Sequence, residues 1–308
     1  MQQHVLISGA SGLIGSALST HLARLGFVVH ALERDNPAAR FNYSSASRQV
    51  ALDHSISLSA VINLAGPSIA DGRWTARRKQ ELLESRVDLT TALATALAAA
   101  PQPPALFLSA SAVGFYGEST LPLNEEAPAG DDYLASLATR WEAATAPARQ
   151  VGIPTAHLRF GVVLSTKGGV LGKLMLPFSL CVGGKLGDGH QPMSWIALPD
   201  VLNLLTRLIE APAVLTAHTD SEGVSALNLV ADEPITNAVF TKALGRALHR
   251  PTSFPLPKPL IRLLFGEMGD ALLLGHSAVI STRLAALGYT LQYPSIDLAL
   301  AYLIEHKA

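Results

Sequence analysis

Cysteine is nearly missing: Cys181 stands alone among 308 residues. A single thiol excludes a disulfide framework and a cysteine-based zinc site, and it fits a reducing compartment. Charge is also scarce, at 15% of the chain against 49% hydrophobic residues, which excludes intrinsic disorder. The formal net charge is −1 with no block of like charge, so neither nucleic acid nor an anionic membrane surface is an expected partner. The ten histidines show no ligand spacing, and no metal site is expected. No stretch reaches the ~18–20 clean apolar residues of a membrane helix. Met1-Gln2-Gln3-His4 lacks the basic start of a signal peptide. These absences describe a soluble, cytoplasmic protein with length for one large or two ordinary domains. Lysine is the last shortage: seven lysines stand against sixteen arginines, and none lies between Lys79 and Lys167.

What is present alternates. Val5-Leu6-Ile7 reads as a short buried strand, and Ile14 to Leu25 as a helix with Leu18, Leu22 and Leu25 on one face. Gly26 stops that helix, and Phe27 to Leu32 reads as a second strand. Ala60 to Leu64 and Ala105 to Leu108 are further strands, with a helix from Arg77 to Ala100 between them. This order predicts an α/β fold, a doubly wound parallel sheet covered on both faces. Thr155 to Leu164 is strand-like, and Lys167 to Pro192 is glycine-rich, reading as loops with one short helix. A helix over Val201 to Glu210 and a strand over Leu227 to Val230 follow. Pro251, Pro255, Pro257 and Pro259 mark a connector before the last helical patterns.

Gly9-Ala10-Ser11-Gly12-Leu13-Ile14-Gly15 lies between the first strand and the first helix. Glycines at this spacing allow a tight turn and close backbone approach to a pyrophosphate. The helix N-terminus then offers N–H groups and positive dipole to the anion. The expectation is a dinucleotide site using Gly9, Ser11, Gly12, Leu13, Ile14 and Gly15. About twenty residues on, Glu33, Arg34 and Asp35 end the second strand. An acid there accepts from ribose hydroxyls, whereas an arginine pairs with a 2′-phosphate, and Arg34 favours NADP (NADPH over NADH). Asp53 is a weaker candidate for an adenine contact.

With that turn in view, Asn63-Leu64-Ala65-Gly66 and Ser109-Ala110-Ser111-Ala112-Val113-Gly114-Phe115-Tyr116-Gly117 resemble the extended short-chain dehydrogenase/reductase superfamily. More narrowly, the chain resembles its atypical epimerase family branch, related to NAD-dependent epimerase/dehydratases. Arg73-Trp74, Arg159-Phe160-Gly161, Gly168 to Lys173 and Ser194-Trp195-Ile196 carry that likeness, which runs from residue 5 to about residue 303. The resemblance implies a Rossmann domain over 1–165, completed by elements near 195–230, and a smaller C-terminal substrate domain over 166–308. It implies that Asn63, Leu64, Ala65 and Gly66 line the cofactor's path and that Ser109 lies beside it. It places Ser111 at the superfamily's catalytic Ser/Thr position, with strand-end capping as the alternative for both serines. Tyr116 can bind substrate or pack in the core. Arg86 stands where the superfamily usually carries asparagine, and it can clamp a cofactor phosphate or a substrate carboxylate, or form a surface salt bridge.

The departure lies in the lysine gap. Superfamily reductases use Tyr-x-x-x-Lys, the lysine lowering the tyrosine's pKa and holding the nicotinamide ribose. Anchored on Glu142, the lysine position holds Ala138 and the tyrosine position Leu134; no Tyr-x-x-x-Lys occurs anywhere in the chain. Three readings remain open. One is an NADP-dependent oxidoreductase or epimerase using Tyr116 or Tyr133 as acid, assisted by Ser111, on a small polar carbonyl or sugar-type substrate. Another is a non-catalytic NADP-binding redox-responsive or scaffold protein. The third is an isomerase or lyase using the cofactor transiently. Convergence of Arg73, Trp74, Arg86 and Arg159 on the nicotinamide end would favour the first. The 183–190 run is expected to be a flexible flap, and Asp200 an N-cap. The apolar Leu89–Ala100 stretch offers either a homodimer face or a buried helix.

Overall fold

The structure is a computed structural model that describes residues 2–216, 219 and 224–306. The first half builds β1 (His4–Ser8), α1 (Leu13–Arg24), β2 (Val28–Arg34), β3 (Asn42–Ser44), β4 (Gln49–Ala51), β5 (Leu58–Asn63), α2 (Ala76–Ala98), β6 (Phe107–Ala112), α3 (Tyr133–Ala143), α4 (Ala146–Gln150) and β7 (Thr155–Phe160). Then come β8 (Val162–Leu164), α5 (Gly169–Ser179), β9 (Pro192–Met193), β10 (Trp195–Ala197), α6 (Leu198–Glu210), α7 (Ala213–Thr216), β11 (Val224–Leu229), β12 (Ile235–Thr236) and α8 (Asn237–Leu248). The last helices are α9 (Lys258–Phe265), α10 (Glu267–Leu273), α11 (Arg283–Ala286) and α12 (Ile296–Glu305).

Val5, Leu6 and Ile7 are all fully buried, as a strand covered on both faces must be. Among the described residues the main sheet has the order β11-β7-β6-β5-β1-β2-β3-β4, and every neighbour pair is parallel except β3–β4. The chain goes from β1 to β2 on one side and later returns to β5 on the other. That reversal opens a crevice at the carboxyl ends of the strands, where ligands of such sheets bind. The expected α/β doubly wound fold is what the chain forms.

Leu18 and Leu22 bury the inner face of α1, but Leu25 is the helix's C-terminal flanking residue and is exposed. The hairpin β3–β4 was not expected from the pattern, since both strands have only three residues. The strand predicted over Thr155 to Leu164 divides at Gly161: β7 stays in the sheet, while β8 turns to pair with β10. In the glycine-rich region α5 runs for eleven residues in spite of an internal Pro177.

The sheet draws β11 from beyond residue 165, and α6 packs on α1. One core runs from Val5 and Leu18 through Trp195 and Leu204 to Leu300, so residues on both sides of 165 share it. On the opposite face α2 buries Leu89, Leu93, Ala94 and Leu97 against Leu6, Val61 and Phe107. That apolar face of α2 is therefore spent on the chain's own core.

The 183–190 run is pinned rather than free. Gly187 N donates to Leu256 O at 2.8 Å, Leu256 N to Lys185 O at 2.9 Å, and Lys258 Nζ lies 2.7 Å from Asp188. Asp200 does not cap α6, whose N-cap is Ala197. It is fully buried and accepts the backbone N–H groups of Gln292 and Tyr293, at 2.7 and 3.1 Å. Among the described residues no helix is long and apolar enough to cross a membrane.

Candidate functional site

A cleft of about 910 Å³ opens at the carboxyl ends of β1, β2 and β5. Its floor and walls include Ser8 to Gly12, Leu32 to Arg34, Tyr43, and Leu64 to Pro67. Arg78, Glu81, Glu84, Ser85 and Leu89 of α2 close one side. Of these, Tyr43, Arg78, Glu81 and Glu84 were not singled out from sequence.

The glycine turn is shaped by close approach. Gly9 has φ +71°, and a Cβ there would lie 2.8 Å from the Leu64 carbonyl carbon. A Cβ on Gly15 would run into the Gly9 backbone, so neither position accepts a side chain without moving the chain. Gly12 is the N-cap of α1, yet no side chain caps this end and no acid lies in the first turn. The N-terminal N–H groups of α1, contributed by residues such as Leu13 and Ile14, are left for a ligand. Their side chains turn elsewhere: Leu13 lies against Gly168 and Gly169, and Ile14 joins the core. A cradle this bare, with its positive helix end exposed, fits the pyrophosphate of a dinucleotide.

At the β2 end of the cleft, Arg34 is exposed and lines it. Glu33 accepts from the Asn36 side-chain amide at 2.7 Å. Asp35 is tied to the Ser45 hydroxyl and backbone N–H, which hold its carboxyl below the usual range. Asp53 accepts from Ser55 and is not among the cleft residues.

At the other end, Leu64, Ala65 and Gly66 line the cleft, whereas Asn63 and Ser109 lie beneath it. The Asn63 side chain accepts from Ser8 and donates to Thr90 at 2.8 Å and to Ser109 at 3.4 Å. It is a strut joining β1, β5, β6 and α2. Arg86 is buried behind Gly66, donating to Leu82 O at 3.0 Å and Pro67 O at 2.8 Å. Among the described residues no carboxylate pairs with it, and its Nε has no hydrogen-bond partner. Burial, with Arg78 nearby, pulls its pKa down to about 10.

The three candidate acid–base hydroxyls are all engaged. Ser111 donates to Glu142 Oε1 at 2.6 Å and is almost completely buried. Tyr116 donates to Asn228 Oδ1 at 2.7 Å and accepts from Arg159 Nη1 at 2.9 Å. Burial pushes its phenol up despite the guanidinium. Tyr133 donates to Lys79 O at 3.2 Å and stacks edge-on against Trp74. Leu134 packs against Gly114.

Arg159 makes a two-pronged pair with Glu142, Nε to Oε1 and Nη2 to Oε2, each at 2.8 Å. His157 Nδ1 approaches Glu142 Oε2 at 3.4 Å. Burial alone would raise the Glu142 pKa, but these donors hold it down to about 2. Arg159 thus belongs to a closed network under the ends of β6, β7 and β11. Arg73 lies against Gly266, and Trp74 packs with Leu82 and Met268. None of Arg73, Trp74, Arg86 and Arg159 lines the cleft at the glycine turn. Among the described residues no group of three His, Cys, Asp or Glu could hold a metal.

The sequence matches the family described as NAD dependent epimerase/dehydratase over residues 5–219, and a domain of unknown function, DUF1731, over residues 256–303. An epimerase family protein of Mycobacterium bovis, Mb2239, is 38% identical over 301 residues, 97% of this chain and 96% of that protein. The human epimerase family protein SDR39U1 is 36% identical over 306 residues, 97% of this chain and 99% of that one. The crystal structure of human SDR39U1 (isoform 2) with NADPH matches with a TM-score of 0.85 at 34% identity, over 99% of this chain and 100% of that chain.

Proposed function

The chain belongs to the NAD-dependent epimerase/dehydratase family, and on that premise we propose that it binds NADP(H) and acts as an oxidoreductase or epimerase on a small polar carbonyl or sugar-type substrate. The observation that carries the cofactor reading is the cleft itself. Its bare glycine turn and uncapped α1 N-terminus suit an anion, and an exposed Arg34 stands at the β2 end. The NADPH in the human relative's structure supports the phosphorylated cofactor. When bound, the nicotinamide supplies or accepts hydride.

The chain's own residues divide the work. Backbone N–H groups of the glycine turn and α1 hold the pyrophosphate, Arg34 pairs with the 2′-phosphate, and Leu64 to Gly66 form the opposite wall. Leu134 and Ala138 carry no proton at the positions where the superfamily places its dyad. Cofactor binding without turnover is the second reading, favoured by the engagement of Ser111, Tyr116 and Tyr133 in other hydrogen bonds. Incubation with NADPH deuterated at the nicotinamide C4 and panels of carbonyl and sugar-nucleotide compounds separates the two. Transfer of deuterium to one stereochemical face of a product is expected; tight binding with no transfer to any compound would overturn the enzymatic reading.

A further inference from the structure

We propose that the surface formed by the C-terminal end of α5 and the chain that follows α8 docks on a membrane carrying anionic lipids. Two observations meet there, and the first is apolar. Leu176, Leu180, Val182 and Phe254 are each more than half exposed, among the most exposed large apolar side chains of the described residues. Leu176 and Leu180, which flanks the end of α5, lie one turn apart on the same side, with Leu180 N donating to Leu176 O at 3.1 Å. The chain then curls back, Val182 N donating to Pro177 O at 3.0 Å. Side chains of this kind left in water forgo the gain of burial, and a group of them marks an interaction surface.

The second observation is charge. Lys242, Arg246, His249, Arg250 and Thr252 line an open hollow of about 680 Å³, and no acidic residue lines it. Lys242 and Arg246 lie one turn apart on α8, and Gly245 lets the following chain fold back on the helix. A Cβ on Gly245 would collide with Thr252 Cγ2 and lie 2.9 Å from Arg250 O. Among the described residues only Arg246 of these basic groups has a carboxylate partner, the exposed Asp297 at 2.7 Å. The hollow therefore offers positive charge to an anionic surface.

Backbone contacts tie the two features together. Arg250 Nε donates to Ser179 O at 3.1 Å, at the end of α5, and α5 packs on α8. A Cβ on Gly184 would collide with Phe254 O, so the 176–184 and 250–254 segments run in contact. This face lies at the end of α5 away from the cleft, since the other end meets Leu13 of α1 through Gly168 and Gly169. The occupant follows from size and charge. A stable protein interface takes roughly 20–30 residues a side, many more than stand here. On a membrane each apolar side chain enters the interface by itself, and each cation gains separately from anionic headgroups. The residues come from 176–182 and 242–254, so they form no run, and the chain's even charge balance shows no sign of the face.

The test is sedimentation of the full chain with vesicles of phosphatidylcholine alone and of phosphatidylcholine mixed with phosphatidylserine. The wild type is expected to pellet with the mixed vesicles, less with the neutral ones, and to be released by raised salt. Lys242→Ala and Arg250→Ala should each weaken binding to the mixed vesicles about fivefold, the factor for one basic residue near an anionic surface. Leu180→Ser and Phe254→Ser should weaken it on both kinds of vesicle, whereas Leu121→Ser, at an exposed leucine elsewhere on the chain, should not. All five substitutions change exposed side chains, so thermal melts should stay at the wild-type temperature. No wild-type binding to either vesicle would overturn the proposal, as would binding that Lys242→Ala and Leu180→Ser leave unchanged. Binding to polyglutamate but not to vesicles would overturn it in favour of an acidic protein. Self-association that Leu180→Ser abolishes, again without vesicle binding, would overturn it in favour of a second copy of the chain.

Discussion

Arg159 and Arg86 are both nearly inaccessible to water, yet their surroundings are opposites. Arg159 meets Glu142 through two 2.8 Å hydrogen bonds, and Tyr116, Ser111 and His157 complete the set. That pairing raises the Arg159 pKa above its ordinary value in spite of burial. Arg86 meets the carbonyls of Leu82 and Pro67 and the Trp141 ring, and burial lowers its pKa. A charge paired inside the protein holds its neighbours in place, whereas one buried against neutral dipoles keeps the cost of its desolvation. The same contrast separates the paired network under β6, β7 and β11 from the bare glycine cradle after β1.

The largest effect is expected on the paired side. Arg159→Met strands the buried Glu142 carboxylate and should cost about 3–5 kcal/mol, lowering the melting temperature by roughly 10 °C. Full retention of stability would show that the pair carries no net energy. Acid should act on the same group. Glu142 goes from an ordinary value of 4.5 to about 2 on folding, so its stabilisation is complete above pH 4.5 and lost as pH falls toward 2. The loss is on the order of 3 kcal/mol, and Glu142→Gln should remove this part of the acid transition from pH-resolved melts. Ser111→Ala is the smallest change. Glu142 keeps its Arg159 bonds, so stability should fall by about 1 kcal/mol and NADPH affinity should not move. A large loss of cofactor affinity would return Ser111 to the cofactor site.

The glycine turn was legible because its requirements are backbone requirements. Gly9 and Gly15 are dictated by chain contacts within a few residues or with the adjacent strand end, and no side-chain partner had to be guessed. The alternating order of strands and helices was legible for the same reason. Leu25 was misplaced because it sits where the helix ends, and β3–β4 was missed because three-residue strands leave almost no periodicity. The fate of Ser111 depended on Glu142, thirty-one residues away, whose carboxylate is brought under β6 by α3. Arg86 could be located but not interpreted. A surface salt bridge and a ligand clamp look alike in one dimension, and only the folded chain shows the guanidinium buried against the carbonyls of Leu82 and Pro67. The pinned 183–190 segment depended likewise on contacts with Leu256 and Lys258, far along the chain.

Selection of NADP(H) by Arg34 at the cleft is the central proposal for this protein. Parallel titration of wild type and Arg34→Ala with NADPH and NADH tests this most directly. Wild type should bind NADPH more tightly, and the variant should lose about tenfold or more for NADPH while NADH affinity stays the same. Equal affinity of the wild type for the two cofactors, or equal loss for both in the variant, would contradict it.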